Sequence, residues 1–96
     1  MSWKSEVIGG ATWCEICGEN SLIIDAHHYI HKSICPQLKD EIRNGIRLCR
    51  WGKNDCHTKA HRAGGRGFIE DWMNKNRPAD KAHCDRILQE YNQIKK

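Results

Sequence analysis

The sequence predicts one small α+β domain: a β-hairpin leading into a short helix, with additional helices toward the C-terminus. Three observations carry this. A chain of 96 residues has room for a single modest core and little more. Six cysteines and six histidines in so short a chain point to metal or disulfide staples. Apolar residues are grouped or alternating as far as Cys49, then take helical spacing from Phe68 onward.

Taken in order, Met1 to Gly10 is polar, with Trp3, Val7 and Ile8 as isolated apolar positions, and it does not resemble a signal peptide. No stretch is long enough to span a bilayer, so the expected setting is the cytoplasm, where paired cysteines more often bind zinc than each other. Cys14-Glu-Ile-Cys17-Gly18 reads as a tight knuckle, with Gly18 supplying a turn that other residues resist. Ser21 to Tyr29 reads as a short strand ending on two histidines. Pro36 to Arg43, with proline in its first turn, predicts a short surface helix. Asn44-Gly45 is a turn signal into Ile46–Cys49, whose alternation suits a half-buried strand, so strand, loop and strand make a long hairpin.

Asp55 is a suitable N-cap for a helix over Cys56 to Arg62, and Gly64, Gly65 and Gly67 are expected to stop it. Residues 68–96 then form a helical extension. Phe68, Ile69, Trp72 and Met73 have helical spacing before Pro78, and Ala82, Ile87, Leu88, Tyr91 and Ile94 mark a final amphipathic helix. With no repeat, low-complexity tract or linker, residues 1–96 read as one domain.

The net charge of +4 is unevenly placed: residues 39–66 carry eight Lys/Arg against three Asp/Glu, and hold the whole excess. That stretch suits either a surface tracking a phosphate backbone or a solvated face. Its candidate nucleic-acid contacts are Arg43, Arg47, Arg50, Lys53, Lys59, Arg62 and Arg66.

Two metal constellations stand out. Structural zinc is commonly held by two cysteine pairs. Cys14 and Cys17 make one regular pair; Cys49 and Cys56, separated by six residues, would make a stretched second one. Some of these could instead be buried free thiols, and Cys35 and Cys84 read as ordinary core or surface residues. His57 and His61 lie one helical turn apart, so both imidazoles can reach one ion. Catalysis by that ion needs a third ligand and open positions. His27 and His28 can divide that labour, since successive strand residues face opposite ways: one meets the ion while the other handles a water.

The run Cys14-x-x-Cys17, Asp25-Ala-His27-His28-Tyr-Ile30, Asn44-Gly-Ile-Arg-Leu-Cys49 and Cys56-His57-x-x-x-His61 resembles the HNH endonucleases. The resemblance covers residues 14 to 61, and it departs from the family in the long Cys49–Cys56 gap and in His31, where a proline is frequent. It implies a ββα-metal fold in which a hairpin and helix clasp one divalent ion. It also implies His28 as general base, His27, His57 and His61 as ligands of that ion (Mg, Mn, Ni or Zn), and Asn44 as the brace of the hairpin loop. Cys14, Cys17, Cys49 and Cys56 would hold structural zinc. The implied activity is metal-dependent cleavage of DNA with low sequence specificity, one strand per active site, by a monomer or weak homodimer, alone or within a larger phage, restriction or repair assembly. A non-catalytic zinc module that binds nucleic acid is the alternative, and needs only the cysteines and the charges.

Overall fold

The computed structural model describes residues 2–20, 23–50, 55–62 and 64–95. It is a small α+β fold with a two-stranded antiparallel sheet and several helices. Helix α1 (Trp3–Ile8) comes first, capped by the Ser2 side chain on Ser5 N–H and ended by Gly9 in the left-handed region. Strands β1 (Ile24–His28) and β2 (Gly45–Cys49) pair so that His28 faces Gly45, His27 faces Ile46 and Asp25 faces Leu48. Helices α2 (Cys56–His61), α3 (Gly65–Asn76) and α4 (Pro78–Lys95) complete the chain.

Several expectations are corrected in detail. Residues 3–8, which carried no structural expectation, are helical; α2 ends at His61, ahead of the glycines as expected, and those glycines also open α3, which starts earlier than Phe68. Pro36–Arg43 is not one helix but two 3-10 turns, Pro36–Leu38 and Ile42–Asn44. The reason lies in side chains outside the segment. Two carbonyls that an α-helix would need are diverted, Leu38 to the Asn44 side chain and Lys39 to His28.

Ile46, Leu48, Ile69 and Met73 are fully buried between sheet and helices, together with Cys14, Cys49 and Cys56, and Ala60 is buried beside them. A second cluster joins the hairpin loop to α4 through Ile30, Cys35, Leu38 and Cys84, so both remaining cysteines are core residues. Polar ties reinforce it: Tyr29 donates to Asp85 at 2.7 Å, Arg43 pairs with Asp80 at 2.7 Å, and Arg77 reaches Asp80, Glu15 and the Gly45 carbonyl. The C-terminal helices therefore fix the loop between the strands. Among the described residues no helix is long and apolar enough to cross a membrane.

Candidate metal centres

The Cys14–Cys17 knuckle turns through Gly18, whose φ of 74° is the conformation glycine adopts most cheaply, and Gly18 N–H closes the turn on the Cys14 carbonyl at 2.9 Å. Glu15 N–H donates to the Arg47 carbonyl, and Arg47 N–H to the Glu15 carboxylate, which stitches the knuckle along β2. Cys49 ends that strand and Cys56 opens α2. Their four sulfurs lie within 4.8 Å of one another, and Cys17 and Cys49 are 3.7 Å apart. A tetrahedron with metal–sulfur bonds of about 2.3 Å has edges of about 3.8 Å. The stretched pair thus returns Cys56 to the cluster.

Burial pushes the Cys49 and Cys56 thiols up in the absence of a cation, with the neighbouring sulfurs adding to it. Four thiolates here therefore require a positive charge among them. Backbone N–H groups of Glu19 and Cys56 point at Cys17 and Cys49 sulfurs, as thiolate ligands favour. Such a cluster could hold a structural metal such as zinc.

Strand alternation puts Asp25 and His27 on the sheet face that meets α2, and His28 on the other. The His27 and His61 rings are 5.1 Å apart, and those of His57 and His61 4.5 Å. Among the described residues the four cysteines are the group of three or more candidate ligands placed to hold a metal ion; His27, His57 and His61 are neighbours but are not gathered in that way. Burial lowers the His27 pKa to about 4, with His61 and His57 contributing, and burial lowers that of His57, where Asp25 acts in opposition. Neutral imidazole is the form that ligates. Asp25, missed as a site residue although strand alternation sets it beside His27, lies 3.3 Å from His57 Nε2 and also pairs with Lys4 and Arg50.

These shifts have a checkable consequence. Between the ordinary histidine pKa near 6.5 and about 4, the unfolded chain binds a proton that folded His27 refuses. Stability of protein lacking an ion at the histidines should therefore fall as pH drops through that window, by at most about 1.4 kcal/mol per pH unit and less for the water-exposed part of the ring. Urea midpoints from pH 7.5 to 5.5 should decline more steeply in the wild type than in His27→Asn. Equal slopes would remove His27 as the cause.

His28 Nε2 lies 2.9 Å from the Lys39 carbonyl oxygen. A carbonyl only accepts, so Nε2 carries the proton and Nδ1 is left as the basic nitrogen. Asn44 is fully buried; its amide donates to the Ile30 and Leu38 carbonyls and its oxygen accepts from Ile30 N–H. One side chain thus holds the loop on both sides, next to the carbonyl that orients His28. Asn44→Ala would strand these buried groups, and a loss of about 3 kcal/mol is expected in chemical denaturation. A loss under about 1 kcal/mol would mean that water replaces the amide.

A cavity of about 240 Å³ is lined by His27, His28, His31, His61, Arg62 and Arg66, among others. Comparison with protein-family models, curated proteins and solved structures finds no match. The other candidate DNA contacts are dispersed. Arg43 is held by Asp80 and Ala79, Arg47 lies 4.1 Å over the Trp13 ring, and Arg50 reaches Asp25. Lys59 is exposed on α2, and Lys53 lies outside the described residues.

Proposed function

We propose that this chain is a metal-dependent DNA endonuclease of the HNH type, with β1, β2 and α2 as its ββα-metal unit. The observation that carries the reading is His28: its Nε2 is tied to the Lys39 carbonyl, its loop is held by buried Asn44, and it shares a cavity with His27 and His61. His27, His57 and His61 would hold one divalent ion. A bound ion supplies Lewis-acid stabilisation of the scissile phosphate and of the departing 3′ oxygen.

In this reading His28 Nδ1 takes the proton of the attacking water, and the Lys39 carbonyl stabilises the positive ring that forms. Arg62 and Arg66, exposed at the cavity, supply charge for the phosphate backbone. Phosphate contacts carry no base information, so cleavage is expected to be weakly specific and to fall with salt. One site cuts one strand, and a monomer should nick.

Supercoiled plasmid incubated with Mg²⁺, Mn²⁺, Ni²⁺ or Zn²⁺ tests this. Nicked circles that need an added ion and vanish in His61→Ala support the nuclease. Retarded but intact plasmid under every ion supports a zinc-stabilised binding module instead.

A further inference from the structure

We propose that Trp3 is a positioning residue for His28, which makes α1 part of the cleavage machinery; this rests on the nuclease reading above. The indole and imidazole rings are parallel to within 1°, with centroids 3.8 Å apart. The indole is itself anchored, because Trp3 Nε1–H donates to the Glu41 carbonyl at 2.9 Å. Both rings are thus tied to one loop, the imidazole through Lys39 and the indole through Glu41.

The strand opposite makes room for this stack. Gly45 faces His28 in the register, and a methyl group there would run into Val7 and stand 3.0 Å from Trp3 Cζ2. Only a residue without a side chain lets α1 lie so close to the sheet. A hydrogen bond at one nitrogen leaves an imidazole free to swing about that contact. A ring stacked flat on its face removes the swing, and fixing a general base in its productive plane is worth rate rather than affinity.

The test uses the full chain and three proteins: wild type, Trp3→Phe and Trp3→Leu. In spectra of histidine ring protons, assigned with His28→Ala, the His28 signals should be shifted upfield by the indole, remain shifted in Trp3→Phe and return in Trp3→Leu. Plasmid nicking should lose about tenfold in kcat in Trp3→Leu with KM little changed, and Trp3→Phe should recover most of it. Should Trp3→Leu lose its zinc or its circular dichroism, Trp3→Met fills a similar volume without a ring and takes its place. A folded ring-less variant with wild-type kcat, or with a change in KM alone, overturns the proposal. Wild type that shows the upfield signals yet leaves plasmid intact under every added ion overturns the nuclease reading and the catalytic use of the clamp together. Wild type that nicks but shows no upfield signals overturns the clamp alone.

Discussion

Cys56→Ser protein, or wild type stripped of metal by a chelator, is expected to lose its cooperative thermal melt. The sulfurs of Cys14, Cys17, Cys49 and Cys56 gather where three chain segments meet: the knuckle, the end of β2 and the start of α2. Three of the four are buried in the main core beside Ile46, Leu48 and Met73. Structural zinc contributes about 10–16 kcal/mol of apparent binding energy, comparable with the whole stability of a domain at about 5–15 kcal/mol. Removing one ligand both weakens the metal and leaves buried thiols without a counter-charge. Cys84→Ala is the control, since that thiol only fills the second core: about 1–2 kcal/mol lost and no zinc released. Native mass spectrometry with calorimetry reads both. A Cys56→Ser chain that keeps its zinc and melts within a few degrees of wild type would take Cys56 out of the ligand set.

Cys56 also marks how far the sequence could be read. Cys14-x-x-Cys17 declares itself because both cysteines sit in one local turn, whereas Cys56 returns to the cluster through tertiary packing that its spacing from Cys49 does not encode. The histidine faces were legible for the same reason as the knuckle, since alternation along β1 and one turn of α2 are local rules. Expectations that failed did so where a distant group intervened. Pro36–Arg43 has helical residues, yet Asn44 and His28 take the carbonyls that a helix would use. The six residues of α1 bury only Val7, so their helical pattern was too short to read, although Ser2 and Gly9 are proper caps.

Charge was the least informative signal. A basic stretch says how many cations are present but not how they are engaged. Arg43 and Arg47 lie in the same excess as Arg62 and Arg66, yet the first is held by Asp80 and the second covers Trp13. Arg77, outside that stretch and never a candidate, proves to be a structural hub linking Asp80, Glu15 and the Gly45 carbonyl. Among the described residues of the stretch, Arg62 and Arg66 alone join the histidines at the cavity.

His28→Ala is expected to slow plasmid nicking by about 10²- to 10⁴-fold while leaving zinc content, ion binding at the histidine trio and DNA retardation intact. The separation follows from the sheet. His28 points away from the face that carries His27, and its ring Nε2 bonds a loop carbonyl rather than a proposed ligand. His61→Ala should fail differently, losing nicking together with binding of the added ion, because it removes a ring that faces both His27 and His57. Isothermal titration with Ni²⁺ beside single-turnover nicking distinguishes the two. The structure also names the competitor. His31 lies 6.3 Å from His28 across the same cavity, with its Nδ1 engaged by Ser33. If His28→Ala nicks at the wild-type rate while His31→Ala does not, the water is activated by His31, and His28 serves the loop rather than the reaction.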